Sequence, residues 1–112
     1  MSNRGIVMHG RLGAKEGKRD ALAANLLRAS AAMETVAACR LYVVSTTDSD
    51  PNGVWVTEVW DSAEDHAASL ANPETRKLIA ETMPLIGELP QRGPNLSIVG
   101  GKGGSRIYVG AS

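Results

Sequence analysis

The chain has 112 residues, with twelve Lys+Arg against twelve Asp+Glu and zero formal charge at pH 7. That length supports one hydrophobic core, and the even charge balance lacks the basic footprint with which nucleic-acid binders neutralise phosphates. The single cysteine, Cys39, excludes an internal disulfide, and no stretch approaches the ~20 apolar residues of a bilayer span or the apolar core of a signal peptide. The expectation is a cytoplasmic chain with neither nucleic acid nor membrane as partner.

Taken in chain order, Ile6, Met8, Gly10 and Leu12 alternate with Val7, His9 and Arg11, which is the two-residue period of a strand. Gly13 ends it. From Lys15 the apolar spacing lengthens to three and four, through Leu22, Asn25, Leu26, Ala29 and Met33. These residues form one face of a long, Ala-rich helix expected to reach about Thr35. The runs ACRLYVVST and VWVTEVW are the next two strands, and the turn-rich DSDPNG between them predicts a hairpin. Ser62, or Asp61 before it, caps a short helix. Asn72-Pro73 opens another, with Asn as cap and Pro at the first helical position. Its expected buried face is Leu78, Ile79, Thr82, Met83 and Ile86, and Gly87 is its stop. NLSIV supplies a fourth strand, followed by the glycine-rich GGKGG.

The order strand, helix, strand, strand, helix, strand predicts an α+β fold: a ferredoxin-like βαββαβ domain, antiparallel in its sheet, with the helices on one face. The domain is expected over residues 1–104, and residues 105–112 as a C-terminal tail or short extra strand. The middle strands are apolar on both sides: Val54, Val56 and Trp60 against Trp55 and Val59, and Leu41 and Val43 against Tyr42 and Val44. Two helices cover only one face of such a sheet, so the other face predicts a homodimer, sheet against sheet.

The chain carries no dinucleotide-type glycine fingerprint, and GGKGGS lacks the spacing of a phosphate loop. His9, His66 and Cys39 lie on different elements with no short-spaced pair, so no metal is expected. No cofactor is expected either.

The phrase Glu58-Val59-Trp60-Asp61-Ser62, followed by AEDHAASLANPETRKLI and MPLIG, resembles the antibiotic biosynthesis monooxygenase family, and CRLYVVS fits as well. The resemblance covers residues 10–99 and points to a quinol-monooxygenase-like subgroup. It implies a dimeric α+β barrel whose substrates include small aromatic molecules, and it implies oxidation without a cofactor. A phenol or quinol loses a proton, its anion passes an electron to dioxygen, and the pair recombines and collapses to a quinone. The protein then has to provide a dry cavity, a proton acceptor and donors for the anionic oxygen. Members commonly place a helix histidine three residues later, where this chain has Ser69; here the histidine is His66. The family also includes haem-binding relatives, and a binding or regulatory dimer on the same fold is the alternative to an enzyme.

Residue by residue, His66, Ser69 and Leu70 share one helix face, which Leu70 marks as inward. Two roles fit His66: acceptor of a phenolic proton, near its reference pKa of ~6.5, or a structural partner of Glu58 or a strand carbonyl. Trp60 offers an aromatic wall and an N–H donor, or core packing. Asn25, an amide on an apolar stripe, either holds a substrate oxygen or satisfies the backbone. Tyr42 and Ser69 are placed as substrate contacts, Glu58 as the group that orients His66, and Met33 and Met83 as adaptable lining. His9 and Arg11 belong to the expected dimer face.

Overall fold

The structure, a computed structural model, describes residues 5–103. The expected residues 105–112 tail lies outside the described residues. Among the described residues five strands, β1 Ile6–Gly13, β2 Cys39–Ser45, β3 Gly53–Trp60, β4 Gln91–Arg92 and β5 Leu96–Ser97, form one antiparallel sheet. Its order is β2-β3-β1-β4, with β5 also pairing β1. The helices are α1 Arg19–Ala32, α2 Ala63–Leu70 and α3 Pro73–Thr82. This is the α+β ferredoxin-like arrangement, with two differences from expectation. The expected NLSIV strand is only Leu96–Ser97, and a further short strand, Gln91–Arg92, precedes it and stops at Gly93-Pro94, where Pro94 has no N–H to give to a ladder. Helix α1 starts at Arg19, not Lys15, because Gly17 turns the chain at φ 76°, a left-handed conformation natural to glycine.

Register sorts the side chains. Met8 lies opposite Glu58, Gly10 opposite Val56, and Leu12 opposite Val54, so these residues share a face. Tyr42 and Val44 join it from β2. That face carries the core: Leu22 and Leu26 of α1 pack on Val54, Val56 and Ala14. Leu22 and Val54 are fully buried, and truncating Leu22 to Ala should cost about 2–5 kcal/mol. A second cluster joins Met8, Met33 and Trp60 at the other end of the sheet. The opposite face presents Val7, Leu41, Val43, Trp55 and Val59 with His9, Arg11 and Thr57. Val59 is buried there, whereas Val43 is 41% exposed.

The caps form as expected. Ser62 Oγ accepts from the Asp65 N–H at 3.1 Å, and Asn72 Oδ1 accepts from the Glu74 N–H at 2.8 Å. Of the expected buried face of α3 only Leu78 is buried; Ile79 and Met83 are 42% and 62% exposed. Helix α3 is held off the sheet by a cavity, and both residues stand on the cavity wall. No helix among the described residues is long and apolar enough to cross a membrane.

Candidate functional site

A cavity of about 460 Å³ separates the sheet from the helices, within the ~300–1,000 Å³ range of small-molecule sites. Met8, Val56, Glu58 and Trp60 line it from the sheet, and Leu26 and Met33 from α1. His66, Ser69 and Leu70 line it from α2, and Leu78 and Ile79 from α3. The wall is mostly apolar, so each polar group on it acts in a weakly screening medium.

The polar groups gather at the end of β3. Strand alternation points both Glu58 and Trp60 to the helix side, and the Ser62 cap turns α2 back over them. The Trp60 indole N–H donates to Glu58 Oε1 at 2.8 Å. The same oxygen lies 3.9 Å from His66 Nε2, beyond hydrogen-bond reach but close enough to pair with an imidazolium. The His66 ring meets Trp60 edge to face, with centroids 5.3 Å apart at 74°. Only 12% of the His66 side chain and 16% of the Glu58 side chain are exposed. Burial pushes the His66 pKa below its ordinary value of 6.5; Glu58 opposes this and Arg92 adds to it. The imidazole is therefore neutral at pH 7 and has a lone pair to accept a proton.

Tyr42 lies opposite Glu58 on the adjacent strand. Burial first, then the Glu58 charge, raises the Tyr42 phenol above its usual range, so it keeps its proton at neutral pH. Among the described residues nothing hydrogen-bonds its hydroxyl, and the side chain lines the cavity. Cys39 is also pushed up, to about 11, by burial and then Glu58; a thiol this weakly acidic is a poor nucleophile.

The sequence of residues 5–81 matches the family model described as antibiotic biosynthesis monooxygenase. The chain belongs to that family. A family-assigned antibiotic biosynthesis monooxygenase from Chloroflexus aurantiacus J-10-fl is 37% identical, with 88% of this chain and 97% of that chain covered and a TM-score of 0.74. Another, from Deinococcus radiodurans, is 26% identical over 85% of this chain and 99% of its own, with a TM-score of 0.67. One from Nitrosomonas europaea shares the fold at a TM-score of 0.79, covering 88% and 94% of the two chains at 11% identity. No curated protein matches the chain.

Against this antibiotic biosynthesis monooxygenase fold the sequence-derived site residues fall into two groups. His66, Trp60, Glu58, Tyr42, Ser69, Met33 and Met83 all line the same cavity. Asn25 does not. Its Nδ2 donates to Thr82 Oγ1 at 2.7 Å, and its Oδ1 accepts from Arg28 Nη1 at 2.9 Å. Asn25 thus clasps α1 to α3 behind the cavity wall, and the expectation that it meets substrate is corrected. Ser69 is partly committed as well, since its Oγ donates to the His66 carbonyl at 2.7 Å.

Arg11 lies on the sheet face away from the helix-side core, bound to Asp50 at 2.7 Å and Glu88 at 3.4 Å, with its guanidinium 5.8 Å from the Trp55 ring. His9 Nδ1 is 2.9 Å from Thr57 Oγ1 on that face. A charged residue of the cavity wall that sequence reading missed is Arg92. It sits in a stretch that reads as loop, and only the pairing of Gly10 with Arg92 brings it to the cavity.

Proposed function

We propose that this protein is a cofactor-independent monooxygenase that oxidises a phenolic, quinol or polycyclic aromatic substrate with dioxygen to a quinone, working as a homodimer. One observation carries the reading: a desolvated, neutral His66 faces an apolar cavity of ring-accommodating size, with a carboxylate beside it. His66 takes the phenolic proton, leaving the electron pair on the substrate oxygen. Glu58 then stabilises the imidazolium, and Trp60 holds Glu58 in place. Tyr42 offers its O–H to a substrate oxygen. The phenolate gives one electron to dioxygen, and the superoxide and phenoxyl radical combine at a ring carbon. Cleavage of the O–O bond with loss of that carbon's proton leaves one oxygen atom in the quinone and releases the other as water.

The test is oxygen uptake by metal-stripped protein with a panel of hydroquinones and hydroxyanthrones, repeated under ¹⁸O₂. Uptake above the autoxidation blank with one labelled oxygen in the product is expected. Saturable binding of the same compounds with no uptake would replace this reading with that of a small-molecule-binding dimer.

A further inference from the structure

We infer that Arg92 receives the anionic oxygen, so that the substrate is held in the cavity as its phenolate, between His66 and Arg92. The inference rests on the phenol-oxidising reading of this cavity. Four observations lead to it.

First, strand register places Arg92 on the cavity side, directly opposite Gly10. Gly10 has no side chain, and a Cβ there would meet Arg92 Cγ at 3.3 Å and the Gln91 carbonyl at 3.0 Å. The missing side chain is what lets the Arg92 stem lie across β1 and line the cavity. Second, the charged groups at the cavity and around its rim are unequally partnered. Arg11 and Glu88 pair with each other, and Arg11 also with Asp50; Glu58 has Trp60 and His66. The Arg92 guanidinium has no hydrogen-bond or ion-pair partner among the described residues, its backbone alone being tied to β1. Third, its planar fork of N–H donors matches an oxyanion in a way a histidine beside it does not.

Fourth, Arg92 and Glu58 act on His66 with opposite sign. Arg92 disfavours the imidazolium and Glu58 favours it. A cation next to a general base hinders proton uptake unless an anion forms at the same time. Deprotonation of a phenol creates that anion. Once it forms, the four charges alternate as carboxylate, imidazolium, phenolate and guanidinium, and the repulsion between the two cations is screened by the phenolate between them. The titratable and charged groups that share the cavity wall with His66 include Glu58 from β3, Tyr42 from β2 and Arg92 from β4, with Asp65 one position before it on its own helix.

The probe is 4-nitrophenol, whose anion absorbs in the visible while the neutral form does not, with its methyl ether 4-nitroanisole as the form that cannot ionise. Titration of the bound probe in the wild-type protein should show a pKa below that of the free probe. Arg92→Gln should weaken binding of the anion by ~10-fold or more, the scale of one lost charge-assisted hydrogen bond, while 4-nitroanisole binds both proteins equally. Arg92→Lys should recover part of the preference. In ligand-free Arg92→Gln the His66 pKa, followed by imidazole NMR, should rise, because a repelling cation has gone.

Equal anion affinity in wild type and Arg92→Gln overturns the inference. So does an unchanged His66 pKa in the folded variant. Arg92-dependent anion binding with no oxygen uptake from any quinol supports the anion site and refutes the monooxygenase reading. Binding of neither probe overturns both.

Discussion

Glu58 Oε1 serves two neighbours, the Trp60 indole and the His66 imidazole, and most residue-scale consequences follow from that one atom. His66→Ala should lower quinol turnover by ~10²-fold or more, the scale of a lost general base, with the melting temperature measured on the same preparation to separate chemistry from folding. Turnover should decline as pH falls through the His66 pKa, which lies below 6.5, since only neutral imidazole accepts the proton. Glu58→Gln keeps an oxygen for Trp60 but removes the charge that favours imidazolium. The acid limb of the pH–rate profile should therefore move to lower pH while the maximum rate falls. The same shift bears on stability. Because the folded pKa is depressed, the His66 contribution is fully present above the unfolded value of ~6.5 and is lost as pH falls through the folded pKa. Denaturant melts between pH 7 and pH 5 should show a decline that His66→Ala reduces. Trp60 is 1% exposed, so Trp60→Leu leaves a void and a Glu58 without its donor. It should lower stability by up to about 3 kcal/mol, as well as weaken substrate binding.

Elements differ in how much of their geometry is local. Helices α2 and α3 start where their caps stand, because Ser62 and Asn72 satisfy N–H groups only two or three residues away; replacing either cap by Ala should cost about 1 kcal/mol. The α1–α3 contact is not local. Asn25 reaches Thr82 across the layer, and the Asn25 stripe position shows only that an amide is buried, not which partner receives it. Asn25→Ala should leave the Thr82 and Arg28 groups short of a partner and destabilise by about 1–3 kcal/mol in denaturant unfolding. Turnover per folded molecule should be unchanged, which is the opposite signature to His66→Ala. Strand β4 stops at Gly93-Pro94, where Pro94 has no N–H to give. Its cavity-facing register follows from β1, which is distant in sequence.

At the scale of the molecule, one sheet face is packed by helices and the other carries Trp55, Val43 and Leu41, with the Arg11–Asp50–Glu88 ion network at one end. Association through this face is the proposal that the two-sided apolar strands support. Sedimentation at micromolar concentration should give a dimer, with more than about 2,000 Å² buried in total. Val43→Glu places a charge at an exposed position on that face and should shift the equilibrium toward monomer without altering the helix-side core. A wild-type chain that sediments as a folded monomer of 11.8 kDa would remove the proposal.

What the sequence determined by itself was everything with a short physical range. Alternation of two named the strands β1 to β3, spacings of three and four named α1, and Ser62 and Asn72-Pro73 located the helix starts. The order of these elements led to the α+β fold, and the phrases from Glu58 to Ile79 and from Met83 to Gly87 led to the family. The sequence also placed seven of its eight candidate residues where the structure has them lining a shared cavity, because strand parity and helix periodicity decide which way a side chain faces. Tertiary structure decided what depends on partners distant in the chain. It assigned Asn25 to a helix clasp, since a buried amide takes the nearest available partner. It gave Trp60 the task of holding Glu58. It set α3 away from the sheet, so that Ile79 and Met83 line a cavity and not a core. It carried Arg92 across a glycine on β1 to the cavity beside His66, because strand pairing is chosen by the whole sheet and leaves no periodic mark in a two-residue strand.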